Sequence, residues 1–237
     1  MDTRSIPAPI EAAKRFIKDR FPFCDAALLA GSVVRGEATP TSDLDIVVFD
    51  CKVTSPYRES LRAFGWPVEV FVHNFHSYKQ FFESDAKRAR PSLPRMVAEG
   101  IILKNSDVLP AIREEAATII ENGPEMWTEK EIEMKRYFIT DTLDDFIGST
   151  KRVEELFIAN ALADLLHEFV LRTNKHWIGN SKWMFRELTR FDPQFAESFV
   201  QAFDNYYRIG EKSQVIELAE SILEPFGGKL FEGFSIK

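Results

Sequence analysis

Cysteine is nearly absent from this chain, with Cys24 and Cys51 its only two. One pair in 237 residues supplies neither a disulfide framework nor the clustered thiols of a structural zinc site. Both are expected to be buried thiols. Long apolar runs are missing as well, and no unbroken stretch approaches the ~20 residues that a helix needs to cross a bilayer. Met1 to Arg4, followed by Pro7 and Pro9, lack the apolar core of a secretion signal, so the expectation is a cytoplasmic protein with no membrane partner. Positive charge is in deficit: 30 Lys and Arg stand against 37 Asp and Glu, for a formal net charge of −7. Polyphosphate partners call for basic faces, so this balance argues against a general grip on nucleic acid and leaves room for a small cationic partner. Histidine is scarce too. His73 and His76 have no third partner at ligand spacing, while His167 and His176 read as surface or capping residues.

What the chain does have is concentrated between Gly31 and Asp45. An apolar strand, Ala26 to Ala30, runs into Gly31-Ser32, and Ser42-Asp43-Leu44-Asp45 opens a second apolar run ending at Phe49. Alternate residues of a strand share a face, so Asp43 and Asp45 project together while Leu44, Ile46 and Val48 face the other way. Neighbouring carboxylates raise each other's pKa unless a cation lies between them, and hard oxygen donors suit Mg²⁺ shared with phosphates. Val68 to Val72 reads as a neighbouring strand with Glu69 opposite the valines, which makes three acids a candidate two-metal site for phosphoryl chemistry. Gly31 lets a backbone come close, and Ser32 is suited to cap a short helix whose free N–H groups receive phosphate oxygens. Arg35 fits either a phosphate contact or a pairing with a nearby acid. Glu37 and Ala38 stand where a Walker A loop needs Lys and Ser or Thr, which excludes a P-loop.

The character of the sequence changes near Gly123-Pro124, giving expected domains 1–123 and 124–237. Before that point the pattern predicts helices at Ile10 to Arg20, Tyr57 to Phe64 and Phe75 to Ala89. It also predicts a strand at Ile101 to Lys104 and a helix to Glu121 capped by Ser106-Asp107. This is an α+β arrangement, a small mixed sheet backed by helices. Beyond it, Thr128 and Glu131 form a capping box for a helix to about Ile147. A second long helix, about Arg152 to Arg172, carries an apolar stripe of Val153, Leu156, Phe157, Ala161, Leu165 and Phe169. Three shorter helices reach Leu223, completing a helical bundle.

Gly31-Ser32, Ser42-Asp43-Leu44-Asp45 and Val68-Glu69-Val70 together resemble the nucleotidyltransferase superfamily of DNA polymerase beta, and within it the antibiotic-modifying branch. The resemblance runs from about Asp25 to Val72. It implies transfer of a nucleoside monophosphate from a triphosphate to a hydroxyl, with pyrophosphate leaving. By that likeness Gly31 and Ser32 hold the triphosphate and Asp43, Asp45 and Glu69 serve the Mg²⁺ ions, two being expected; Ser42 and Arg35 are further candidate nucleotide contacts.

Asn180-Ser181-Lys182-Trp183 is similar, more loosely, to the Lys-Trp segment of the helical domains in such enzymes, and the likeness gives Lys182 a triphosphate contact. The family has Gly where Ser181 stands. The same chemistry wants a carboxylate to take the acceptor's proton. Asp145 is the choice among Asp141, Asp144 and Asp145, which share helical faces, with Glu154 and Glu155 in reserve. The resulting expectation is an adenylyltransferase using ATP or another NTP on a small cationic acceptor such as an aminoglycoside, and the likeness also admits a homodimer. A protein or RNA acceptor, or a nucleotide-binding module without turnover, stays open.

Overall fold

The computed structural model describes residues 7–236, and the chain divides between Asn122 and Gly123 into two compact units. Met1 to Arg4 lie outside the described residues. The first unit contains α1 (Pro9–Arg20), β1 (Ala26–Ala30), β2 (Leu44–Phe49), β3 (Tyr57–Ala63), β4 (Trp66–His73), α2 (Ser77–Lys87), α3 (Ser92–Glu99), β5 (Ile101–Lys104) and α4 (Leu109–Asn122). Its five strands form one mixed sheet in the order β3-β4-β2-β1-β5. Only β2 and β4 run parallel, and the other neighbours are antiparallel.

Alternation along the strands divides the apolar side chains between two cores. Ile46, Val48, Val68, Val70 and Val72 pack with Ala12, Phe16 and Ile17 of α1, whereas Val47 and Phe49 pack with Tyr78, Phe82, Leu93, Val97 and Ile112 from the helices on the other face. Burying a side chain such as Phe16, which is 1% exposed, is worth roughly 1.5–3 kcal/mol. With helices on both faces of a mixed sheet the unit is α+β, as the sequence pattern implies.

Tyr57 to Phe64 is not a helix but the edge strand β3 with its turn. Phe64 and Gly65 both have positive φ, 51° and 87°, and join Ala63 to its partner Trp66 in a two-residue hairpin. Once that hairpin closes, the alternation of Arg58, Ser60 and Arg62 with Glu59, Leu61 and Ala63 fits a strand with one exposed face. Helix α3 has no counterpart in the sequence reading, because Pro91 and Pro94 flank its first turn. It is started by a side chain from another helix: buried Asp85 of α2 accepts the Leu93 N–H at 2.7 Å, satisfying an orphan donor of the first turn. Ser106 does not cap α4, its Oγ being buried with no hydrogen-bond partner among the described residues. Cys24 is buried, but Cys51 is exposed in the turn after β2.

The second unit holds α5 (Glu129–Gly148), α6 (Arg152–Thr173), α7 (Lys182–Phe191), α8 (Pro193–Ile209) and α9 (Ser213–Leu223). The capping box forms as expected, with Thr128 Oγ1 accepting the Glu131 N–H and Glu131 accepting the Thr128 N–H. Asp192 caps α8 by accepting from the N–H groups of Gln194 and Phe195. On α6 most of the expected stripe lies on the wrong face. Val153 and Phe157 are 69% and 79% exposed; Phe169 is buried as expected, but beside Glu155, Ala159, Leu162 and Leu166. Among the described residues no helix is long and apolar enough to cross a membrane.

Candidate active site

Strand register builds the centre of the site. In the parallel β2–β4 pair Asp45 lies opposite Glu69, and in the antiparallel β1–β2 pair it lies opposite Ala30, the last residue before Gly31. The chain must therefore turn directly over the Asp45 side chain. Gly31 does so with φ +80°, and a Cβ there would lie 2.0 Å from Asp45 Oδ2, so any other residue would be strained and would force the carboxylate or the turn to move.

No helix follows Gly31, contrary to the capping role expected of Ser32. Residues 32–36 form a turn closed by Val34 N–H to the Gly31 carbonyl and Glu37 N–H to the Ser32 carbonyl. Ser32 Oγ instead donates to Ser42 Oγ at 3.1 Å, and Ser42 Oγ accepts the Thr39 N–H at 2.8 Å. These bonds tie the Gly31 turn to the segment that delivers Asp43.

Asp43, Asp45 and Glu69 each offer a carboxylate oxygen, all within 4.8 Å of one another, and all three side chains are half-buried. Burial first, and then the charges of Asp43 and Glu69, push the Asp45 carboxyl up to about 6, against partial relief from Arg35 and Arg58. A convergent set of hard oxygen donors that raises its own member in this way fits a divalent cation such as Mg²⁺, and the space kept clear by Gly31 lies against the same carboxylate.

Two arginines flank the acids. Arg35 is tethered by Glu37 at 3.2 Å and by Glu99, at the end of α3, at 3.3 Å. Arg58 of β3 pairs with Glu69 at 2.5 Å and covers the Phe71 ring at 5.1 Å. Neither Arg58 nor Glu99 was singled out from sequence. The usable signal was the period-two exposure of Arg58, Ser60 and Arg62, hidden by reading that stretch as a helix. A second group, Asp25, Asp50 and Cys51, also converges, but two of its members are turn caps: Asp25 accepts the Cys51 N–H at 2.6 Å and Asp50 the Lys52 N–H at 2.9 Å.

In the second unit Asp145 is exposed near the end of α5, and Asp144 beside it pairs with Lys229. Glu155 is buried and held by Lys212 at 2.8 Å, which marks it as a structural acid rather than a free base. Glu154 is exposed and paired with Lys151. Lys182 is exposed at the start of α7, directly after Ser181, whose φ of +53° and ψ of −130° belong to glycine. The loop leading there is rigidly held. Gly179 donates its N–H to His167 Nε2 at 3.1 Å, and a Cβ on it would lie 2.1 Å from the Trp183 backbone. Of the two expectations for His167, surface or capping, the surface one fails: it is buried, 2% exposed, and accepts a loop N–H.

Residues 10–79 match the family model for the nucleotidyltransferase domain. That stretch carries Gly31, Ser32, Asp43, Asp45 and Glu69, and the match supports a transferase with a nucleotide substrate. No curated protein sequence matches the chain. Among solved structures, a nucleotidyltransferase-like protein from Exiguobacterium sibiricum is similar at 13% identity, with 91% of this chain and 73% of that chain covered and a TM-score of 0.47.

Proposed function

We propose that this chain transfers a nucleoside monophosphate, AMP from ATP, to a hydroxyl of a small cationic acceptor such as an aminoglycoside. The observation that carries the reading is the convergence of Asp43, Asp45 and Glu69 under the Gly31 turn. Residues 1–123 supply the catalytic part and residues 124–237 the acceptor-binding part. The acceptor's hydroxyl oxygen attacks the α-phosphorus. The bond from that phosphorus to the oxygen bridging the β-phosphate breaks, and pyrophosphate leaves with the electron pair. Asp145 takes the hydroxyl proton as general base. Ser32, Ser42 and the N–H groups of the Gly31 turn orient the triphosphate, with Arg35 and Lys182 as its cationic contacts. Asp43, Asp45 and Glu69 would hold Mg²⁺, two ions in this reading, which when bound would neutralise charge on the phosphates.

The cationic acceptor rests on the net charge of −7 and on exposed Asp141 and Asp145 of α5. The test is Mg²⁺-dependent pyrophosphate release from each of the four NTPs against a panel of aminoglycosides and lincosamides, with Asp45→Asn as control. Release that requires one acceptor and disappears in the variant supports the reading. Absence of release with every small acceptor, alongside intact metal and nucleotide binding, would overturn the small-molecule part in favour of a macromolecular acceptor or a silent binding module.

A further inference from the structure

Strand β3 brings a cation to the acid cluster from the open edge of the sheet. It is paired on one side only, with β4, and in that register Arg58 faces Phe71 and Ser60 faces Glu69. Arg58 and Glu69 are therefore diagonal neighbours on one face, within reach of a long side chain. The guanidinium uses that reach: it pairs with Glu69 at 2.5 Å while lying over the Phe71 ring at 5.1 Å.

The two flanking arginines are held differently. Arg35 is 20% exposed and anchored by Glu37 and Glu99, neither of them a member of the cluster. Arg58 is 57% exposed, and its one ion pair among the described residues is with Glu69, itself one of the three converging acids. A carboxylate oxygen engaged by a guanidinium at 2.5 Å is not free to ligate a cation. Arg58, exposed on an edge strand, can leave at little cost, because exposed pairs contribute little net stability.

We infer that Arg58 is an exchangeable partner of the site: it competes with a divalent cation for Glu69 and, once displaced, turns its planar fork to the oxygens of the polyphosphate. Arg58 is then a nucleotide-binding residue of the reaction proposed above, and the inference rests on that reading. Charge is conserved in the exchange, since the cation takes over Glu69 while Arg58 takes over part of the phosphate charge. The cleft accordingly holds its acids balanced before substrate arrives and releases a phosphate ligand when metal and nucleotide enter.

The test is calorimetric titration of chelator-treated full-length protein with Mn²⁺ alone, and then with the non-hydrolysable analogue α,β-methylene-ATP in the presence of Mn²⁺. Arg58→Gln is expected to bind Mn²⁺ about three- to tenfold more tightly and the analogue about tenfold more weakly. Arg58→Lys, which keeps the charge and loses the fork, falls between. Arg62→Gln is the control: Arg62 lies exposed on the same face of β3 without an ion pair among the described residues, and the variant carries the same change in net charge. It should leave both affinities within about twofold of wild type. Unchanged or weaker Mn²⁺ binding in Arg58→Gln, or unchanged analogue binding, overturns the inference. Equal shifts in Arg62→Gln overturn it too, since they would trace to general charge. Wild type that binds Mn²⁺ no better than Asp45→Asn overturns both this inference and the metal-site reading beneath it, which separates the two failures.

Discussion

The two ends of the parallel β2–β4 pair put the same ladder to opposite uses. On one face, Asp45 and Glu69 stand opposite each other at one end, and Phe49 and His73 do so at the other, about 13 Å away along the strands. The Phe49 end is closed by α2. His73 is 3% exposed, its ring lies 6.5 Å from Phe49 and 4.8 Å edge-on to Phe81, and burial alone pushes its pKa down to about 4. The Asp45 end is left open by the Gly31 turn, and its carboxylates stay half-buried and close together. Backbone pairing is the same at both ends, so what differs is the cover. A helix turns a titratable group into a neutral core residue, whereas a glycine turn keeps acids assembled at a surface.

Breaking the open end should have the largest effect on the site itself. Gly31→Ala puts a methyl 2.0 Å from Asp45 Oδ2 at a φ of +80°, so the turn or the carboxylate must move. Mn²⁺ affinity is expected to fall at least about tenfold, or about 1.4 kcal/mol, with the sheet still folded by circular dichroism. Wild-type affinity in this variant would mean that the turn does not shape the acid cluster.

The pH dependence of stability sharpens the contrast, because the two ends titrate with opposite sign. His73 is held at about 4 in the fold against 6.5 in the open chain. Its contribution is complete above pH 6.5 and is lost as pH falls toward 4, about 3 kcal/mol in all. Asp45 is raised from 3.8 to about 6. Its contribution is present below pH 3.8 and is lost as pH rises through 6, about 1–3 kcal/mol after allowing for its partial exposure. Urea denaturation in chelator from pH 4 to 8 checks both. His73→Phe should flatten the acid side and Asp45→Asn should gain stability at pH 8. A variant profile parallel to wild type would refute the corresponding assignment.

The smallest expected effect carries the comparison to the second unit. Gly31 and Ser181 both have positive φ, +80° and +53°, but only the first is a glycine. Ser181→Gly should therefore stabilise the protein by about 1 kcal/mol, read as a higher midpoint of thermal unfolding, and a lower midpoint would show that the Ser181 side chain earns its conformation through contacts.

Much of this was legible in the sequence because its causes are local. The strands Ala26–Ala30 and Ile101–Lys104 follow from apolar runs bounded by Gly and polar residues, and the capping box of α5 follows from Thr128 and Glu131 three positions apart. The face shared by Asp43 and Asp45 follows from the period of a strand. Tyr57–Ala63 was misread because its mix of charged and apolar residues suits either period, and Arg58 was lost with it. The α6 stripe was misread because that helix carries apolar residues around most of its circumference, so only its neighbours decide which are buried.

By itself, then, the sequence determined the α+β class, the capped start of α5 and the presence of an acid pair beside a glycine turn. All of these arise from interactions within a few residues of each other. Only the tertiary structure decided that Asp45 faces Glu69, that Gly31 must lie against Asp45, and that Arg58 and Glu99 reach the site from β3 and α3. Those contacts depend on strand register and helix packing between segments tens of residues apart, which no local pattern specifies.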